Sequence, residues 1–93
     1  MQPGLKEQIE QAAAVLRRYG ATEVFLFGSA TSEQNDNPRD VDMAVEGLPP
    51  EVFFRAYSAA AQCLDREMDL IRLEEDNPFT RFLRRKGKLK RVG

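Results

Sequence analysis

Glu23-Val24-Phe25-Leu26-Phe27 is an unbroken β-favouring run that Gly28 and Ser29 cut short, the pattern of a buried strand ending in a tight turn. The flanking segments are read around it. Upstream, Leu5, Ile9, Ala12, Ala13, Leu16 and Tyr19 recur at three- and four-residue steps between Pro3-Gly4 and Gly20, which predicts a helix over 5–19 with one apolar face. Arg17 and Arg18 fall in its last turn, where positive charge complements the helix dipole, and Gly20 is a natural stop. Downstream, residues 30–39 are polar and rich in turn formers, an exposed connection with at most one helical turn near Ala30.

A second strand is predicted over 40–45, because Asp40-Val41-Asp42-Met43 places both acids on one face and Val41 and Met43 on the other. Pro49 and Pro50 open a helix running to about Arg66, with Val52, Phe53, Ala56, Tyr57, Ala60, Cys63 and Leu64 at helical spacing. Cys63 reads as core filling. Glu67 to Leu73 is a third strand, Met68 and Leu70 facing one way and Glu67, Asp69 and Ile71 the other. Asn77-Pro78 is a cap and first-turn pair for a last helix carrying Phe79, Phe82 and Leu83 and ending near Gly87, with a basic tail beyond. The predicted order is helix, strand, strand, helix, strand, helix, an α/β (α+β) arrangement in a single domain over 1–93.

Composition narrows the chemistry. A chain of 93 residues with 42% apolar content can close one small core and not two. It contains no histidine and one cysteine, Cys63, which excludes an internal disulfide, histidine-dependent triads and zinc sites of the usual kind. No apolar run approaches the roughly 18 to 20 residues that cross a bilayer, and Met1 to Glu7 lacks the character of a signal peptide, so a cytoplasmic location is expected. The net charge of −1 conceals a division: residues 1–80 hold all 15 acids and seven bases, and residues 81–93 hold seven bases and no acid. Such a basic end reads either as a solvated helix face or as a contact for phosphate or an acidic partner surface. Direct nucleic-acid binding is disfavoured, since no aromatic beyond Phe82 interleaves the basic run.

Three features converge: the Gly28-Ser29 turn after a buried strand, Asp40 and Asp42 opening the next strand, and Asp69 inside the third. Gly28 allows close backbone approach to a ligand, and Ser29 can offer amide and hydroxyl to phosphate oxygens. Two carboxylates about 6 Å apart on one strand face repel by roughly 3 kcal/mol at an effective dielectric near 20. A divalent ion reverses that sign, and an oxygen-only donor set favours Mg²⁺ or Mn²⁺ with substrate phosphates completing the shell. Two such ions could stabilise the attacking and leaving oxygens of an in-line displacement. The bland alternative is a strand-edge cap beside an ordinary turn. An Asp-x-Asp alone means little in a chain with this much aspartate; its coupling to Gly-Ser ten residues upstream gives it weight.

This pattern, Gly28-Ser29, ten residues, Asp40-Val41-Asp42, then Asp69 in Met68-Asp69-Leu70-Ile71, resembles the minimal nucleotidyltransferases of the DNA polymerase β superfamily, over nearly the whole chain. The resemblance implies a small mixed β-sheet with helices packed on one side, a polymerase β palm-like fold. It implies that Asp40 and Asp42 bind two Mg²⁺ ions, and that Asp69 holds one of them and assists deprotonation of the acceptor. Gly28 and Ser29 would hold the nucleotide phosphates. Many such proteins are antitoxins paired with a HEPN-domain ribonuclease toxin, which they silence by moving AMP from ATP to a toxin tyrosine. Two departures stand out: Ala30-Thr31-Ser32-Glu33 follows the turn where relatives often carry Arg-Gly, and Arg39 replaces a common serine, where it is expected to substitute as a phosphate contact. Two other readings are carried forward: an antitoxin that neutralises its partner by binding alone, and a transferase acting on a small hydroxylated molecule such as an aminoglycoside.

Overall fold

The structure of the protein is a computed structural model that describes residues 4–28, 39–86 and 89–92. Helix α1, Leu5–Arg18, buries Gln8, Ile9, Ala12, Ala13 and Leu16, the stripe that its 3.6-residue period predicts. Tyr19 caps it, and Gly20 follows at φ +123°, where an added Cβ would stand 2.9 Å from the Pro49 ring. The left-handed backbone and that close approach both require glycine.

Strand β1, Glu23–Phe27, pairs antiparallel with β2, Asp40–Glu46, in the register Glu23↔Glu46 to Phe27↔Asp42. From β2 the chain passes through a 3-10 turn, Pro50–Val52, and helix α2, Phe53–Ala61, to β3, Glu67–Arg72, which lies parallel to β2 with Asp40↔Glu67 and Asp42↔Asp69. A parallel pair needs such a crossover. Helix α3, Pro78–Lys86, follows, and a two-residue strand β4, Lys90–Arg91, closes a four-stranded sheet of order β3-β2-β1-β4.

The two sheet faces differ. Val24, Leu26, Val41, Met43, Val45, Met68 and Leu70 point to one face and form the main core with α1 and α2. On the other face Phe27, Ala44, Leu73 and Leu83 make a smaller cluster, with Phe25, Ile71 and Leu89 at its margin. The fold is thus a small mixed sheet with α1 and α2 on one side, while α3 lays Leu83 across part of the opposite face. Asn77 starts α3 as anticipated: the Thr80 amide donates to Asn77 Oδ1 at 2.9 Å, and the buried Thr80 hydroxyl donates to the Glu75 carbonyl at 2.6 Å.

One expected boundary is corrected, and the end of the chain gains an element. The second helix was expected to reach Arg66 but ends at Ala61, with Gln62 as its cap. The chain must turn there to enter β3, and the Gln8 side chain holds the turn by accepting from the Asp65 amide at 3.1 Å. Cys63 sits in this turn, partly buried against the main core. The basic tail, assigned no element from the sequence, contains β4, whose residues pair as Phe25↔Arg91 and Leu26↔Lys90. Val92 beyond it is buried, its amide donating to the Val24 carbonyl at 2.9 Å and its carbonyl accepting from Arg17. The last helix forms as expected, with Phe79 and Phe82 about half exposed and Thr80 and Leu83 buried.

Candidate active site

Strand alternation decides which side chains share a face. On β2 the residues between Val41, Met43 and Val45 are Asp42 and Ala44, so Asp40 and Asp42 share the Ala44 face and not the main core. On β3, Asp69 lies between Met68 and Leu70, both core residues, and therefore points the other way with Ile71. The parallel register sets Asp69 directly beside Asp42 and Glu67 beside Asp40. The three predicted carboxylates thus occupy one face at one end of adjacent strands.

Their electrostatics follow. Burial pushes the Asp42 carboxyl above the usual carboxylate range, and the negative charges of Asp69 and Asp40, with a hydrogen bond shared with Asp69, push it the same way. The contrast with other acids is plain. Asp65 and Asp76 are held below the usual range by hydrogen bonds from Arg66 and Arg81 respectively, and Glu46 and Glu23 are met by Arg84 and Arg91 at 3.1 and 3.0 Å. Among the described residues no arginine or lysine forms an ion pair with Asp40, Asp42 or Asp69.

Gly28 completes the floor. It lies at φ +75°, and a Cβ there would stand 2.4 Å from Asp42 Oδ2. The left-handed backbone favours glycine here, and any larger residue would also displace the Asp42 carboxylate. Ser29 lies outside the described residues. Arg39 is exposed immediately before Asp40 at the mouth of the site.

Sequence reasoning missed Tyr57. Its spacing on α2 marks it as core, yet it reaches the β3 edge strand, where its hydroxyl donates to the Met68 carbonyl and lies against the Asp69 carboxylate. Burial first, and then the Asp69 charge, raise the Tyr57 phenol above its ordinary value. The usable signal was a tyrosine in an otherwise apolar helix face, since a buried phenol needs a polar partner.

The donor set suits a hard divalent cation: three oxygen-only side chains, unneutralised by any described arginine or lysine, with Asp42 in a position where added positive charge relieves a strained ionisation. Among the described residues no group of three or more Asp, Glu, Cys or His is already gathered as a metal cage. Mg²⁺ is usually held by one or two carboxylates together with substrate phosphates and does not require such a cage.

No protein-family model matches the chain, and no curated protein matches it. Solved structures do. A toxin–antitoxin crystal structure with AMP-PNP matches at a TM-score of 0.67 and 22% identity, over 96% of this chain and 73% of that one. The MntA-HepT toxin–antitoxin structure matches at 0.66 and 18% identity, over 95% and 71%. A mutant of the same pair with two Asp-to-Glu substitutions two positions apart matches at 0.67 and 19%, over 89% and 70%. The chain accordingly has the fold found in the MntA-HepT toxin–antitoxin structures, the small mixed sheet that its resemblance to minimal nucleotidyltransferases implies.

Proposed function

We propose that this protein is an Mg²⁺-dependent nucleotidyltransferase antitoxin that moves AMP from ATP to a tyrosine of a partner HEPN ribonuclease and so silences it. The observation that carries the reading is the convergence of Asp40, Asp42 and Asp69 on one sheet face, mutually repelling and without a described arginine or lysine to neutralise them. Such an arrangement is costly for a fold and useful for metal-assisted phosphoryl chemistry. Further support comes from the neighbours: their crystals hold toxin–antitoxin pairs, one was solved with AMP-PNP, and one was made with two nearby aspartates changed to glutamate.

In this reading Asp40, Asp42 and Asp69 hold the Mg²⁺ ions, which supply neutralisation of phosphate charge and orientation of the attacking and leaving oxygens. Gly28 keeps the strand end open beside Asp42, Ser29 and Arg39 contact phosphate oxygens, and Asp69 takes the proton of the acceptor. The acceptor phenol oxygen forms a bond to the α-phosphorus of ATP as the bond to pyrophosphate breaks. In this reading the partner protein presents its own tyrosine to the site. The molecule would act in the cytoplasm; among the described residues no helix is long and apolar enough to cross a membrane.

The test is transfer of label from ATP to the purified toxin in the presence of Mg²⁺. Asp42→Ala should lower the rate by at least about 10³-fold, as expected for loss of a metal-holding carboxylate. Undiminished labelling by that variant rejects the mechanism. A second reading, neutralisation by binding alone, is favoured by one observation, Ala30-Thr31 in place of the Arg-Gly pair that relatives often carry. It predicts that a variant with all three aspartates changed to alanine still protects cells from the toxin.

A further inference from the structure

Helix α3 exposes two aromatic rings one turn apart, Phe79 at 48% and Phe82 at 45%, on a helix whose other apolar residue, Leu83, is buried. Phe54 on α2 is more exposed still, at 81%, so exposure alone assigns no use. The position of Phe79 and Phe82 is informative. Phe79 meets Phe27 edge to face with ring centroids 5.7 Å apart, and Phe27 is the register partner of Asp42. Because partners in an antiparallel pair stand about 5 Å apart at Cα, the Phe79 ring lies two short steps from the carboxylate face, on the same side of the sheet. Phe27 holds it there: that ring is buried with Ala44, Leu73 and Leu83, so one side of Phe79 is fixed and the rest is open.

A ligand whose phosphates sit at Asp40, Asp42 and Asp69 would extend its sugar and base away from the carboxylates. A planar apolar surface on the same face, beyond the register partner of Asp42, is what a heterocyclic base needs, since every base has a face that stacks on an aromatic ring. We propose that Phe79, supported by Phe27 and extended by Phe82, is the platform on which the base of the bound nucleotide stacks. The inference rests on the nucleotidyltransferase reading above and adds to it which residues hold the base. Stacking of this kind recognises the flat face and not the hydrogen-bonding edge, so purine nucleotides bind more tightly than pyrimidine nucleotides through ring area, and ATP and GTP are poorly distinguished.

Titration calorimetry with Mg²⁺-ATP and, separately, with Mg²⁺ and inorganic triphosphate separates the platform from the phosphate site. In the wild-type protein ATP should bind more tightly than inorganic triphosphate. Phe79→Leu, which keeps an apolar side chain against Phe27, should weaken ATP by about tenfold and leave triphosphate unchanged, whereas Phe79→Tyr should behave as wild type. An unchanged ratio of ATP to triphosphate affinity in Phe79→Leu overturns the platform while leaving the nucleotidyltransferase reading intact. So does a variant that binds ATP normally but no longer co-purifies with the toxin, which would make the rings a partner contact. Failure of the wild-type protein to bind either ligand overturns both.

Discussion

The two faces of the sheet are built from the same strands and do opposite things. One residue along β2 separates Met43, fully buried beneath α1 and α2, from Asp42, whose carboxyl faces Asp69 and Asp40. The first face is closed by aliphatic side chains that release water on folding. The second carries three aspartates with which no described arginine or lysine forms an ion pair, next to a smaller apolar patch. What the difference teaches is a division of labour at single-residue resolution: one face of each strand stabilises, and the other tolerates like charges because the first is well packed.

The largest effect should come from exchanging the two characters. Met43→Asp places an unpaired charge in the main core and should leave the protein unfolded at 25 °C, a loss of several kcal/mol, seen as a missing cooperative transition in circular dichroism. Asp42→Asn, one residue away, should fold and should melt higher than wild type at neutral pH without ligand. The sign follows from the raised folded-state value of Asp42: stability from this group is full below the unfolded carboxylate pKa, near 3.8, and is lost as pH rises through the folded value. The wild-type melting temperature should therefore fall over that pH range, and Asp42→Asn should flatten the fall. An equal slope in both proteins would mean that neither burial nor the neighbouring carboxylates raise Asp42.

Much of this was legible in the primary structure, and the reason is period. Val41-Met43-Val45 against Asp40-Asp42 and Met68-Leu70 against Asp69 alternate by two, so the face of every site carboxylate could be read directly. The helix stripe of α1 was equally clear. What escaped depends on contacts between distant segments. β4 has only two residues, both exposed, and exists because β1 offers an edge and Val92 finds a buried place. The end of α2 is set by Gln8, 57 positions away from Asp65. Tyr57 has the spacing of a core residue, and its role near Asp69 depends on β3 being the edge strand. Phe79 and Phe82 fit a helical stripe in sequence, but the small patch around Leu83 is too narrow to cover them.

Smaller effects sharpen the boundary between the faces. Tyr57→Phe removes the hydroxyl that bridges α2 to the β3 backbone and touches Asp69. It should cost about 0.5–1.5 kcal/mol in chemical denaturation and, under the proposed function, slow AMP transfer by loosening the placement of Asp69. Arg91→Ala breaks an exposed pair with Glu23 on the sheet margin and should cost under about 1 kcal/mol with transfer unchanged. A loss of activity in Arg91→Ala would show that the basic end contributes to the site and not only to β4.

The most direct measurement is the melting temperature of the wild-type protein with and without millimolar Mg²⁺-ATP, beside Asp42→Asn and Asp69→Asn. A ligand bound only by the folded state at about 100 times its dissociation constant stabilises by about 2.7 kcal/mol, a rise of several degrees for a domain of this size. The account predicts that rise in the wild type and little or none in either variant. No rise in the wild type, or the same rise in all three proteins, would contradict it.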